Sequence, residues 1–219
     1  MYIRLTSEKA LFIDKLIKTT KSEYIVFEID TILQIVLISP DISQMTVVKF
    51  EPEFFEEFKC EKRMVVSTQM KKFHVPNMKE LRIELFENQI CFEHRFTDVT
   101  TKKTYLYLHP DIFDIDFHHK FSLELDLPGL KRVISGLKDK EIKVKIGESI
   151  TFSSATTTIS IPGTDFEAEF EIDSEKFKNV IGVSDLFYEH KLNIPEEFSP
   201  VNFVYRLPDV LFTTFISTE

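Results

Sequence analysis

Short stretches in which apolar and polar residues alternate dominate the chain: YIVFEID at 24–30, LQIVLIS at 33–39, MTVVKF at 45–50, LRIELF at 81–86, ICFEHRF at 90–96 and KTYLYL at 103–108. Each is rich in β-branched or aromatic residues, the composition of a strand with one buried face. Helical spacing is rarer. Ser7 is placed to cap a helix running to about Thr20, with Ala10, Ile13, Leu16 and Ile17 on one side. Leu130, Val133, Ile134 and Leu137 fall at i, i+3, i+4 and i+7 after Pro128, whose fixed φ suits a first helical turn. Two shorter helices are expected at 68–75, stopped by Pro76, and at 174–181, with Phe177, Val180 and Ile181 as the apolar side.

The pattern occurs twice. FIDKLIKTTK at 12–21 aligns with GLKRVISGLK at 129–138, pairing Ile13 with Leu130, Leu16 with Val133 and Ile17 with Ile134, and EYIVFEI then aligns with EIKVKIG. Further along, MKKF at 70–73 aligns with FKNV at 177–180, and CFEHRF at 91–96 with NFVYRL at 202–207. Solenoid repeats have periods of about 20–50 residues, so a spacing this long marks duplicated domains. The expected architecture is α+β: two tandem domains of antiparallel sheet with two short helices each, at 1–108 and 121–219, joined by a connector at 109–120.

Charge changes this picture. The chain carries a formal net charge of -9 over 219 residues, which excludes a generally basic protein that coats nucleic acid. The four expected helical stretches, taken with their flanks as 7–21, 68–74, 128–140 and 174–182, nevertheless carry a net +8, leaving -17 for everything else. Helices tolerate lysine well, so a solvated basic face is the plain explanation. The repetition favours another, in which Lys15, Lys18, Lys71, Lys72, Lys131, Arg132, Lys138, Lys176 and Lys178 form one surface for a polyanion. Lysine contacts phosphate without reading bases, and the polar helix faces carry no aromatic on which an unpaired base would stack. Sequence-independent contact with double-stranded DNA follows.

Other chemistries find little support. The longest wholly aliphatic run spans 35–38, far below the roughly 20 residues of a membrane helix. The five glycines are too widely spaced for a dinucleotide fingerprint or a P-loop. With two cysteines, Cys60 and Cys91, and no signal-peptide core at the start, a reduced intracellular compartment is expected. Cys91, His94 and Cys60 lack the close ligand pairs of a zinc site. His118 and His119, beside Asp111, Asp114 and Asp116, point to opposite sides of an extended chain. No nucleophile elbow is present, so no catalytic residue, metal or cofactor is assigned; a compact hydrolase is the distant alternative.

The duplicated unit with basic helices resembles the DNA sliding clamps, proliferating cell nuclear antigen and its checkpoint relatives, over essentially the whole chain. Ser39, Asp41 and Ser43 resemble the Ser-x-Asp-x-Ser turn of the replicative clamp, and PVNFVYRLPDVLFTTFIS resembles the clamps' last hairpin. KFEPEFFEEF at 49–58 is similar to the paired-phenylalanine turn of the checkpoint subunits, and CFEHRFTDVTTKKTY at 91–105 looks most like the Rad-nine family. That resemblance implies a nuclear, non-enzymatic subunit of the heterotrimeric nine-one-one checkpoint clamp. Its implied partners are Rad-one-like and Hus-one-like subunits, a clamp loader, and checkpoint or repair proteins with short hydrophobic motifs. A homotrimeric replicative clamp and the Hus-one-like subunit are the alternatives; Rad-nine proteins usually carry a long phosphorylated tail after the second domain, and signalling through such a tail is not expected of these 219 residues.

Clamps close head to tail through strand edges, which the resemblance places at KTYLYL and FEAEFEI, with Thr104, Tyr105, Tyr107, Phe166, Glu167, Glu169 and Phe170 as interface residues. It places a groove for partner motifs at Pro40, Ile42, Ile112, Phe113, Ile115 and Phe117, the last four of which are equally suited to a core.

Overall fold

A computed structural model describes residues 1–69, 72–86, 88–108, 110, 119–195 and 200–218. Two compact units emerge from it. The first comprises Met1–Ile42, Thr46–Asp114 and Pro208–Phe212; the second comprises Ser43–Met45, Ile115–Leu207 and Thr213–Glu219. The connector expected at 109–120 lies almost wholly outside the described residues.

In the first unit, β1 (Tyr2–Thr6) leads into α1 (Ser7–Ile17), followed by β2 (Ile25–Ile29), β3 (Leu33–Ile38) and β4 (Gln44–Phe50). Then come β5 (Glu57–Lys59), β6 (Met64–Thr68), β7 (Glu80–Leu85), β8 (Gln89–Arg95) and β9 (Thr100–Leu106). One sheet has the order β5-β1-β7-β8-β9, and the remaining strands run β6-β2-β3-β4. The second unit starts with β10 (His119–Glu124) and α2 (Leu127–Val133), then β11 (Glu141–Ile146), β12 (Ser149–Ser153), β13 (Thr158–Pro162) and β14 (Ala168–Asp173). It continues with α3 (Ser174–Ile181), β15 (Glu189–Pro195), β16 (Val201–Leu207) and β17 (Val210–Ile216). Its strands run β10-β15-β16-β17 and β14-β11-β12-β13. Strand for strand, apart from the short β5, the second unit repeats the first, and β8 and β16 hold the CFEHRF and NFVYRL segments in equivalent places.

The alternation in sequence becomes alternation in burial. In β3, Leu33, Ile35 and Leu37 are buried while their neighbours are half-exposed, and in β11 Ile142, Val144 and Ile146 alternate with exposed Glu141, Lys143 and Lys145. Phenylalanine supplies much of the first unit's core. Phe50, Phe54 and Phe55 pack with ring centroids 4.7–6.1 Å apart, Phe55 stacks on Phe58, and Phe12 of α1 closes over Phe54. The paired-phenylalanine turn is therefore packing, held by a 3-10 turn at Pro52–Phe54.

Three helix expectations need adjustment. Thr6, not Ser7, caps α1: its hydroxyl accepts from the N–H of Lys9 at 3.3 Å. The helix expected from Pro128 to about 140 is α2 followed by a 3-10 turn at Ile134–Gly136, which turns Val133 to solvent while Leu130, Ile134 and Leu137 stay buried. The helix expected at 68–75 is not found among the described residues. Thr68 ends β6, and 72–75 is irregular. Asp14 explains why: its carboxylate accepts from the N–H of Phe73 at 2.6 Å and of His74 at 3.2 Å, taking donors that a helix would direct to carbonyls one turn back. Phe73 is fully buried against Phe27 and Phe92. By contrast α3 forms as expected, with Asp173 as its cap and Phe177, Val180 and Ile181 inward.

Candidate nucleic-acid interface

Along α1 and its C-cap Lys18, the residues Glu8, Leu11, Lys15 and Lys18 share the exposed side, while Ala10, Ile13, Leu16 and Ile17 are buried opposite. Lys15 and Lys18 thus stand together in solvent, and Lys9 on the flank is spent on Glu56 at 2.8 Å. In the second unit Arg132 is exposed in the last turn of α2, and Lys138 is exposed just past the 3-10 turn that follows it.

The other expected cations are less free. Lys131 is half-buried, its ammonium 2.8 Å from Asp185 and donating to the carbonyl of Gly182 at 2.7 Å. Lys176 donates to the hydroxyl of Ser43, and Lys178 to the carbonyl of Leu137. The Lys131 and Lys178 contacts tie the α2 and α3 segments together. Lys72 is exposed but sits on the irregular segment instead of a helix, and Lys71 lies outside the described residues. The basic-helix count therefore overstates the open positive surface, which among the described helical regions narrows to Lys15 and Arg132 on helices and Lys18 and Lys138 just past them.

Sheet edges form a second set of features. Among the described residues β9 ends its sheet, pairing with β8 alone over Thr100–Leu106, and the chain beyond it is held by a bridge between Leu108 and Ser67. Tyr105 is half-buried, its ring edge-on to Phe92 at 5.8 Å, and Thr104 is exposed. Tyr107 does not face outward as an interface residue: it is buried, its hydroxyl donating to the carbonyl of Phe86 at 2.8 Å.

In the second unit the FEAEFEI segment leads into and forms most of β14, an end strand that begins at Ala168, so Phe166 and Glu167 precede it. Its outer side is engaged by a bridge from Ile172 to Thr218. Glu169 is neutralised by Lys143 and Lys145, which hold its carboxyl below the usual range. Glu167 is exposed and Phe170 half-buried. Phe166 stacks on Phe121 at 3.8 Å. The other end strand, β13, pairs with β12 and, among the described residues, has no strand beyond it. The sequence hid it because TTTISIPGT is short, hydroxyl-rich and interrupted by proline.

The charges on the outer side of the first unit's sheet are internally matched. Glu93 accepts from Lys102 at 2.7 Å and from Arg95 at 2.5 Å, which pulls its carboxyl pKa down, while Glu80 is shared by Arg4, Arg82 and Arg95. Cys91 lies on that side and His94 on the opposite, buried side of β8, and neither cysteine is in a disulfide. Among the described residues no group of three His, Cys, Asp or Glu gathers as a metal site, and no helix is long and apolar enough to cross a membrane.

No family model matches the sequence, and no curated protein sequence matches it. Solved structures do. The crystal structure of the PCNA2–PCNA3 complex from Sulfolobus tokodaii matches with a TM-score of 0.78 at 15% identity, over 100% of this chain and 99% of that one. Proliferating Cellular Nuclear Antigen from Entamoeba histolytica matches at 0.77 and 11%, over 100% and 98%. The chain has the sliding-clamp fold.

Within that fold, the expected partner groove is visible only at its rim. Pro40 is exposed, Ile42 is 80% exposed with φ 58°, and Ile112, Phe113, Ile115 and Phe117 lie outside the described residues. A β-branched residue in left-handed backbone is strained, and such strain gathers at functional sites. The turn holding it is closed by the N–H of Ile42 on the carbonyl of Ser39, whose hydroxyl in turn bonds Asp41.

Proposed function

We propose that this chain is a subunit of a ring-shaped DNA sliding clamp, which contacts double-stranded DNA without reading its sequence. The observation that carries the reading is the full-length likeness to clamp structures, joined to exposed cations on or just past a helix of each unit: Lys15 and Lys18 in one, Arg132 and Lys138 in the other. A phosphate backbone needs such charges and little else. The chain has no assigned catalytic role in this reading; it is a platform, and the strained, exposed Ile42 marks where short hydrophobic partner motifs dock.

The finer proposal is the heterotrimeric nine-one-one checkpoint clamp of the nucleus, with this chain in the Rad-nine-like place beside Rad-one-like and Hus-one-like subunits, loaded by a clamp loader. It rests on CFEHRFTDVTTKKTY, the segment of β8 and β9. KFEPEFFEEF weighs less, because its aromatics are core. A loading assay on nicked circular DNA, with clamp-like chains co-purified from the same cells, tests the coarser reading. Retention on the circle and release on linearisation are expected. Failure of every such assembly to stay on the circle sinks it, and a complex that excludes checkpoint-type partners sinks the finer one.

A further inference from the structure

The duplication is incomplete at one strand. In the first unit the outer edge of β1 is covered by β5, which sets Phe58 across from Ile3 and Glu57 across from Arg4. The N–H of Glu56 bonds the carbonyl of Arg4 at 3.0 Å, and the Glu57 carboxylate lies 3.6 Å from the Arg4 guanidinium. The counterpart of β1 is β10, since each runs into its helix through a capping residue, Thr6 in one and Asp126 in the other. That match sets Tyr2, Ile3, Arg4 and Leu5 against Ser122, Leu123, Glu124 and Leu125.

Among the described residues no strand pairs with the outer edge of β10. The segment that would supply one is too short: the first unit has residues 51–63 between β4 and β6, the second only 163–167 between β13 and β14. Even there Gly163 and Thr164 stay with the β12–β13 hairpin, their N–H groups bonding the carbonyls of Glu148 and Gly147. What reaches β10 is the ring of Phe166, stacked on Phe121.

The register fixes what is left open. The N–H of Leu125 bonds the carbonyl of His190, so Phe121, Leu123 and Leu125 bond to β15, while Ser122 and Glu124 turn their N–H and C=O groups outward. Side chains are uncovered as well: Leu123 and Leu125 are half-exposed, whereas Ile3 and Leu5 are 1% and 0% exposed. Glu124 takes the place of Arg4 and inverts its charge. It reaches Lys191 at 3.8 Å yet stays exposed, and Asp126, Glu189 and the exposed Tyr188 join it around an open cavity of about 800 Å³. Other sheet ends are less available. β6 and β14 carry bridges to Leu108 and Thr218, β13 ends in Pro162, β9 is the edge expected to close the ring, and β5 is three residues long with its own Lys59–Glu57 pair.

We propose that the outer edge of β10 is a docking site for an extended peptide segment of another protein, added antiparallel as an extra strand. The chain's own β5 is the template for its chemistry. An aromatic residue stands opposite Leu123, as Phe58 stands opposite Ile3, and directly before it a lysine or arginine stands opposite Glu124. The β5 of a second copy does not fit, because its Glu57 would face Glu124. This edge belongs neither to the strands expected to close the ring nor to the Ile42 turn. The proposal rests on the duplication and not on the clamp reading, which its failure leaves untouched.

Titration of the full chain with two synthetic peptides tests it: residues 53–59 unaltered, and the same peptide carrying Glu57→Lys. The altered peptide is expected to bind about fivefold more tightly, as an opposite-charge pair in place of a like-charge one across two strands would give. It should also slow hydrogen exchange at the N–H groups of Ser122 and Glu124, and Glu124→Lys in the chain should reverse the preference. Binding of neither peptide or of both alike, a preference that survives Glu124→Lys, or unchanged exchange at Ser122 and Glu124 at saturation overturns the proposal. So does exchange at those two groups as slow without peptide as at Leu123, which would mean that the edge is already occupied.

Discussion

Asp14 on α1 reaches the backbone N–H of Phe73, 2.6 Å away in space and 59 residues away in sequence, and so replaces an expected helix with an irregular segment pinned to the core. Two backbone donors depend on this one carboxylate, which is 2% exposed. An unpaired buried donor costs about 1–3 kcal/mol, so Asp14→Ala is expected to lower stability by roughly 2–4 kcal/mol in urea denaturation. A loss under about 0.5 kcal/mol, the scale of an ordinary surface change, would remove Asp14 from this role.

Two carboxylates should give opposite pH dependences. Burial raises the pKa of Asp14 above 3.8, its two backbone bonds only partly offsetting this. Its contribution is therefore greatest below the unfolded value and declines as pH rises through the folded one. Glu93 is held below 4.5, first by Lys102 and then by Arg95, so its contribution is present above that value and is lost as pH falls through the depressed folded one. Stability measured from pH 3 to 7 should lose part of its acid-side decline in Glu93→Gln and steepen in Asp14→Asn. Parallel curves for the two variants contradict the assignment.

For DNA, the exposed and the engaged cations should differ. In an assembled ring, replacing Lys15, Lys18, Arg132 and Lys138 with glutamine should flatten the salt dependence of binding, by about 0.9 in log–log slope for each phosphate contact removed. Lys178→Gln should change the slope little and lower stability instead, since its ammonium caps the carbonyl of Leu137. Equal effects on both measurements from the two sets would show that the distinction is false.

Gly163 and Gly147 offer a matched pair. A Cβ on Gly163 would lie 2.0 Å from the carbonyl oxygen of Gly147 and 2.7 Å from the backbone of Ser149, whereas one on Gly147 meets nothing within 4 Å. Gly163→Ala should cost about 1–3 kcal/mol or more through forced backbone movement, and Gly147→Ala less than about 0.5 kcal/mol. Similar melting temperatures for the two variants would be the contrary result.

Ile42→Asn should raise stability by about 1 kcal/mol, because asparagine tolerates left-handed backbone that strains a β-branched residue. Binding of a short hydrophobic partner peptide to the assembled clamp should weaken by several fold. If peptide binding is unchanged, Ile42 is strained for another reason.

The legible part of the fold was the part written in local periodicity. β2, β3 and β11 alternate because one face is buried, and α3 carries its cap and apolar side within ten residues. What escaped depends on distance. The 68–75 helix failed because a carboxylate from α1 claimed its donors, and β13 was missed because Thr158, Ser160 and Pro162 resemble a loop until β12 is beside them. At the candidate interface, spacing was enough to put Lys15, Lys131, Arg132, Lys176 and Lys178 on helices but not to give their partners. A lysine stem is long enough for Lys131 to find Asp185 and Lys176 to find Ser43, and neither contact leaves a mark in spacing.

The first unit includes Pro208–Phe212, and the N–H of Glu51 bonds the carbonyl of Asp209 at 3.0 Å. On the ribosome, then, the first unit waits unfinished until residues 208–212 have been made. Contacts separated by this much sequence form slowly, and the interval exposes unpaired strand edges. Removing the last hairpin should damage the earlier-made half as well as the later, and nascent chains arrested before residue 208 should be held by chaperones instead of folding in stages.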